Sequence, residues 1–245
     1  MVLKKWEELP EQFRCEEVRP YYDMLKKQRA SLTLKRAFDI FASLLLAVIL
    51  LPVMLVIAVI IKLDSKGPVF FMQTRITSLG REFRIIKFRT MVKDAESLGS
   101  KVTTSGDCRV TRSGKWLRKL KLDEFPQVFN ILAGQMSFVG ARPEVPEYVS
   151  AYTPQMLSTL LLPAGLTSLA SIKYKDENEL ISQADDADSV YINIILPEKM
   201  KYNLEYLKRI RLFGDLNIVS DCVFGIKLIF SVVTKRVLVY NKSSF

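Results

Sequence analysis

A chain of 245 residues with 49% apolar content is long enough for one principal compact domain with attachments. Lys and Arg number 36 against 26 Asp and Glu, and the resulting charge of +10 draws the surface toward phosphates, nucleic acid or acidic lipid headgroups. The absence of histidine excludes imidazole bases, histidine triads and most zinc chemistry, while the scattered Cys15, Cys108 and Cys222 form no CxxC pair and fit a reducing, cytosolic setting. Catalysis therefore has to run on carboxylates, Lys, Arg, Tyr, Ser or a bound metal.

Residues 1 to 30 mix both charges with Trp6, Phe13, Tyr21 and Tyr22, which suits an amphipathic docking segment. The stretch from Ile40 to Ile61 carries no charge over about 22 residues, the usual length for crossing a hydrocarbon core. It starts too far from Met1 for a cleavable signal peptide. Pro52 near its middle predicts a kink. Basic residues flank both sides, Lys35 and Arg36 before and Lys62 and Lys66 after, so the positive-inside rule places both ends in the cytoplasm. A re-entrant hairpin across residues 31–66 meets that symmetry better than a straight span.

Lys66-Gly67-Pro68 ends this helix, and two short strands, Val69 to Met72 and Arg84 to Arg89, are predicted across a turn at Leu79-Gly80. From Trp116 to Leu132 apolar residues recur at helical spacing, interrupted at Pro126, and a less regular region with Pro163 and Gly165 follows. Cys222 to Val233 reads either as an in-plane amphipathic helix or as a buried core helix. The expected fold is α+β and mostly helical: a monotopic, membrane-embedded protein with a proline-bent re-entrant helix, a β-hairpin and interfacial helices. Its core spans residues 67–170, and residues 171–245 form a variable C-terminal region.

Basic residues dominate between Gly67 and Ser150, among them Lys87, Arg89, Arg112, Arg118 and Arg142. For any single one of them, solvation beside anionic lipid is explanation enough. Inside this field stand Asp123 and Glu124, directly before Phe125-Pro126. Because proline tolerates only the first helical turn, a helix is expected to begin at Glu124 or Phe125 with Asp123 as its cap. Unpaired amides there would keep Asp123 ionised and attract a phosphoryl group. A carboxylate attacking a pyrophosphate also needs cations to neutralise developing charge. The two carboxylates offer hard oxygen ligands for Mg²⁺, too few for a closed cage and suited to a metal shared with substrate phosphates. On residue pattern alone, Asp-x-x-Pro is more often an ordinary helix start than a catalytic group. Walker A and GxGxxG loops are absent.

The string from Lys121 to Glu144, KLDEFPQVFNILAGQMSFVGARPE, resembles the hallmark segment of the bacterial sugar transferases known as monotopic phosphoglycosyl transferases. Lys35 to Asp39, Gly67 to Phe70 and Ile86 to Met91 follow in the order of that family, and the likeness continues more weakly through Pro163 to Thr167. The resemblance implies a helix bent at Pro52, with the active site at the cytoplasmic membrane boundary of a bacterial inner membrane. It implies a ping-pong reaction in which Asp123 attacks a UDP-sugar, UMP leaves, and polyprenol phosphate takes the sugar phosphate. Glu124 matches the partner carboxylate, for metal binding or acceptor positioning. Arg118 matches a phosphate-stabilising arginine, and Arg142 that of a Pro-Arg-Pro turn near the nucleotide. Lys87 and Arg89 are further candidates for the same anion, Arg112 is a candidate substrate contact, and Lys35 and Arg36 are candidates for the lipid phosphate. Ala141, Gln135, Leu51 and Ser168-Leu169-Ala170-Ser171 depart from the family pattern.

The expected activity is sugar-phosphate transfer that initiates a glycan such as capsule, exopolysaccharide or O-antigen, with membrane lipid as surroundings and a homodimer left open. A membrane-bound nucleotide-sugar or lipid-phosphate pyrophosphatase or phosphatase could use the same acidic pair. A non-enzymatic basic anchor or a nucleic-acid binder ranks last, because the aromatics fall at apolar-periodic positions rather than along a basic groove.

Overall fold

The structure is a computed structural model and describes residues 3–95, 107–174 and 186–222. These residues form a mostly helical molecule with two small sheets and one long apolar helix near the N-terminus. The short helix α1 (Arg19–Lys27) leads into α2 (Arg29–Asp64), which is 36 residues long. On α2, the residues Leu32, Lys35, Asp39 and Ser43 before Pro52, and Met54, Ile57 and Ile61 after it, recur at helical spacing and face the protein. Phe41, Leu44, Val48, Leu55, Val56 and Val59 on the other side are more than half exposed. Pro52 lies on that exposed side. Its ring removes one helical hydrogen bond and crowds the carbonyl of Val48, opening the helix outward and favouring a bend toward the body.

Both ends of α2 are tied down. The buried Lys35 ammonium donates to Asp215 across 2.5 Å, and Arg36 donates to the carbonyls of Ile131 and Leu132. At the far end, Asp64 accepts from the amide and hydroxyl of Ser113 at 2.8 and 2.7 Å, which holds its carboxyl below the usual range. The chain leaves the helix through Gly67, whose φ of +129° disfavours any L side chain and where a Cβ would collide with the Arg89 guanidinium.

The predicted hairpin is present, with longer strands: β1 (Phe70–Ile76) pairs antiparallel with β2 (Glu82–Phe88) around a 3-10 turn at Ser78–Gly80. Phe83, Ile85 and Lys87 share one face of β2, so the strand carries its lysine out of the core at its end. Then come α3 (Arg112–Lys119), a 3-10 turn at Leu122–Glu124, and α4 (Gln127–Leu132). Asp123 is not a helix cap, contrary to expectation. Lys121 takes a left-handed conformation that reverses the chain after α3, and tight three-residue bonds run from Leu122 to Phe125 and from Pro126 to Phe129. Proline lacks the donor that would extend an α-helix back over Asp123, which leaves the aspartate within the turn.

Asn130 of α4, 1% exposed, takes the place of a third strand against β2. Its Oδ1 accepts from the Ile86 amide, and its Nδ2 donates to the Arg84 carbonyl and to Gln135. Gln135, a departure from the family pattern, thereby orients Asn130.

A second, parallel pair, β3 (Met136–Val139) with β4 (Ala164–Thr167), lies where only irregular chain was expected. Between and after these strands come α5 (Pro146–Val149) and α6 (Leu169–Lys173), the latter capped by Ser168, which accepts from the Ser171 amide. The departing Ser168 to Ser171 stretch is thus a capped helix start. Beyond residue 186, α7 (Ala187–Val190) passes through a π-helical turn at Tyr191–Ile195 into α8 (Leu196–Lys208). One core joins Phe13 and Leu25 near the N-terminus to Ile131 and Met136, and on to Leu207 and Ile210 of the C-terminal region. Residues 212–222 are helical and supply Asp215; the expectation for Cys222 to Val233 lies, beyond Cys222, outside the described residues.

Replacing Asn130 by Ala should remove the partners of the part-buried Ile86 amide and Arg84 carbonyl and leave a cavity at a side chain that is itself 1% exposed. Urea denaturation in detergent is expected to show a loss of about 2–4 kcal/mol; wild-type stability would mean that the asparagine bridge contributes nothing.

Candidate active site

Three separate segments place cations around the Leu122–Glu124 turn. From β2, Lys87 Nζ donates to Glu124 Oε1 at 3.2 Å. From the turn after β3, Arg142 donates to the same oxygen at 3.0 Å. From α3, Arg118 donates through Nε to the Thr90 hydroxyl at 2.8 Å, which aims its guanidinium while Asp123 supplies an opposing charge nearby.

The two adjacent carboxylates are shifted in opposite directions. Burial pushes Glu124 up, but Arg142 and Lys87 outweigh it and bring the carboxyl down to about 2. Asp123 is pushed up, by burial first and by the charge of Glu124 second, with Lys87 and Arg118 offsetting only part of that. Among the described residues no side chain donates a hydrogen bond to Asp123. Burial also lowers Lys87 from its ordinary value against the pull of Glu124, so its charge depends on the acidic pair. One carboxylate is a locked counter-ion, and the other has oxygens free to react.

The turn carrying Arg142 is fixed from several sides. The Ala141 carbonyl accepts from the Gly165 amide, the Pro143 carbonyl from Arg75, and the Glu144 carbonyl from Ile76. Hydrogen bonds thus secure the turn where Ala141 replaces a proline. Behind it, the buried Glu144 accepts from the Tyr191 hydroxyl at 2.7 Å, and Lys199 donates to the same hydroxyl at 3.0 Å. Arg75 lies 4.0 Å from Glu144 and close enough to Arg142 for the two charges to oppose each other. Thr90, Glu144, Tyr191 and Lys199 escaped the sequence reading. Tyr191 and Lys199 lie far along the chain from the motif, and nothing in their local pattern marks them.

The structure gathers Asp123, Glu124, Lys87, Arg118 and Arg142, and it places the remaining candidates elsewhere. Arg89 is 5% exposed and donates to the carbonyl and hydroxyl of Ser65, securing the end of α2 rather than facing Asp123. Arg112 opens α3, exposed beside Asp64. Lys35, buried with Asp215, has no route to a lipid phosphate, and Arg36 caps the carbonyl end of α4. The expectation for Lys35 gave way because its ammonium found an internal acceptor.

The site is seated on the apolar helix. Leu122 and Phe125, on either side of the acidic pair, pack with Trp116 against Met54, Ile57 and Ile61 of α2. Among the described residues no group of three or more potential ligands could enclose a metal. The free oxygens of Asp123 and the remaining oxygen of Glu124 fit instead an ion that takes most of its ligands from phosphate and water.

Residues 30–227 match the bacterial sugar transferase family, and the chain belongs to it. It is 38% identical over 193 residues to an Aeromonas hydrophila UDP-N-acetylgalactosamine-undecaprenyl-phosphate N-acetylgalactosaminephosphotransferase, covering 78% of this chain and 43% of that protein. It is 34% identical over 193 residues to a Caulobacter vibrioides UDP-glucose:undecaprenyl-phosphate glucose-1-phosphate transferase, covering 77% and 68% of the two chains. Over 112 residues it is 47% identical to an exopolysaccharide production protein of Rhizobium leguminosarum, covering 45% and 56%. The chain spans less than half the length of several of these relatives, among them the Aeromonas protein and a Komagataeibacter xylinus glucose phosphotransferase of which 34% is covered.

The opposite shifts of the two carboxylates predict opposite stability effects. Burial and Glu124 raise Asp123, so the fold favours its ionised form less than the unfolded chain does, and Asp123→Asn should raise the melting temperature at pH 7. Glu124 is lowered from its ordinary 4.5, so its stabilisation is complete above that value and lost as pH falls toward about 2. Glu124→Gln should accordingly cost about 1.5–3 kcal/mol at pH 7. Thermal and urea melts of both variants check the pair, and a destabilised Asp123→Asn would contradict the assignment.

Proposed function

We propose that this chain moves a sugar-1-phosphate from a UDP-sugar to polyprenol phosphate with release of UMP, and so starts a glycan on a lipid carrier. The observation that carries this reading is the Asp123 carboxylate, which accepts no side-chain hydrogen bond among the described residues, feels the charges of Lys87 and Arg118 and is seated on the apolar helix. The activities for which the Aeromonas and Caulobacter relatives are named support it.

In the first step a carboxylate oxygen of Asp123 attacks the sugar-bearing phosphorus. The bond from that phosphorus to the bridging oxygen breaks, and its electron pair leaves with UMP. Lys87, Arg118 and Arg142 stabilise the charge that gathers on the phosphoryl oxygens and the leaving group. In the second step an oxygen of polyprenol phosphate attacks the same phosphorus, and the bond to Asp123 breaks, restoring the carboxylate. Glu124, fixed by two cations, does not compete as nucleophile. A Mg²⁺ ion held by Asp123 and Glu124 would supply further charge neutralisation on the phosphates.

The outward face of α2 provides the membrane anchor in this reading. A straight helix would separate Arg36 from Asp64 by about 42 Å. Ties at both ends, a proline on the outer side and basic flanks on both sides support a re-entrant hairpin that returns to the cytoplasmic face. A soluble donor and a membrane-bound acceptor then meet at the boundary where Asp123 sits.

Asp123→Asn should lower UMP release from a UDP-sugar by about 10⁴-fold or more, as removal of a covalent nucleophile does; wild-type rates would refute the nucleophile. UMP formed with polyprenol phosphate present but without lipid-linked sugar would instead identify a hydrolase. The acidic limb of the pH–rate profile should lie above the ordinary aspartate value of 3.8, and Lys87→Met should move it higher by removing a compensating charge. A limb unmoved by that substitution would separate Lys87 from Asp123.

A further inference from the structure

A second cationic cavity lies at the other end of α4 from Asp123. It has a volume of about 170 Å³ and is lined by Lys4, Arg36 and Arg81 together with leucines such as Leu3, Leu79 and Leu161, and among the described residues no acidic one lines it. Arg36 reaches it from α2 while donating to the carbonyl end of α4. Gly134, at φ +80°, makes room there, since a Cβ would come within 3.3 Å of the Arg36 guanidinium. Arg81 is held over the cavity by its bonds to the carbonyl and hydroxyl of Ser78 at 3.3 and 2.9 Å, which use its Nε and one terminal nitrogen. Lys4 is exposed at the rim.

Three cations without a lining carboxylate form a site for an anion. The volume corresponds to about five or six waters, enough for a phosphodiester and its small polar substituent but not for hydrocarbon chains. The chains have a place outside it: Leu34, two residues from Arg36, is 55% exposed, and the exposed apolar face of α2 begins within about one turn, at Ile40 and Phe41. Basic side chains at that level of a membrane helix meet lipid headgroups.

We propose that this cavity binds the phosphodiester headgroup of an anionic glycerophospholipid, with Lys4, Arg36 and Arg81 as the recognising groups, at a site distinct from Asp123. The proposal rests on the membrane placement of α2 given above but not on the chemistry at Asp123.

The test uses the full chain in a nonionic detergent, with lipid binding read by native mass spectrometry. Phosphatidylglycerol should bind more tightly than phosphatidylcholine. Lys4→Gln with Arg81→Gln should weaken phosphatidylglycerol by about fivefold per cation, or about 25-fold together, while Lys4→Arg with Arg81→Lys retains it. Sugar-phosphate transfer to polyprenol phosphate should persist in the double glutamine variant. Equal binding of the two lipids, unchanged binding in that variant, or full displacement by millimolar inorganic phosphate would overturn the site. Loss of transfer together with lipid binding would assign the cavity to the acceptor route and overturn it as well. Failure of the catalytic reading appears separately, as absence of transfer in the wild type while lipid selectivity remains.

Discussion

A single carboxylate oxygen of Glu124 receives Lys87 from the hairpin and Arg142 from the turn after β3, and much else depends on that junction. It ties the acidic turn to segments that lie 37 and 18 residues away in the chain. It also divides labour between two chemically similar neighbours. Glu124 absorbs the nearest positive charge and stays ionised, while Asp123 accepts no side-chain hydrogen bond among the described residues and has its charge only partly compensated. A carboxylate in that condition is the one the proposed function takes as nucleophile. The support extends outward to Thr90 behind Arg118 and to Glu144, Tyr191 and Lys199 behind the turn of Arg142.

The apolar helix is the floor of this arrangement rather than an appendage. Its inner stripe packs against the hairpin and α3, and Leu122 and Phe125 press the acidic turn onto it. Lys35, Arg36 and Asp64 then fasten the helix to the protein with polar bonds on both sides of Pro52. Such ties suit a segment whose outer face lacks a protein partner, since an ion pair buried as deeply as Lys35 with Asp215 fixes one geometry even where its net contribution to stability is small. The cationic cavity beside Arg36 shows the same helix serving a second surface, one turn from its apolar face.

Where local pattern decides structure, the sequence was legible. The uncharged stretch around Pro52, the hairpin at Leu79-Gly80 and the cluster of Asp123, Glu124, Lys87, Arg118 and Arg142 all follow from periodicity, turn chemistry and an ordered motif. The failures share a physical cause. Asp123 was expected to cap a helix because the pattern showed Pro126 but not the left-handed Lys121 that reverses the chain before it. Lys35 and Arg89 were assigned to anions because a lysine or arginine in a sequence does not show its acceptor. Their acceptors, Asp215 and Ser65, are set by tertiary packing. The parallel pair β3 and β4 was hidden for the same reason, since four-residue strands 24 or more residues apart leave no period to read.

The central claim is that the Asp123 oxygen itself forms the bond to phosphorus, and peptide-mapping mass spectrometry tests it most directly. The protein would be mixed with a UDP-sugar without lipid acceptor, quenched, digested and sequenced. The account predicts a mass increase of one sugar phosphate confined to the peptide containing Asp123, lost when polyprenol phosphate is added before the quench. UMP accumulating while that peptide stays unmodified, or a sugar phosphate attached at another residue, would contradict it.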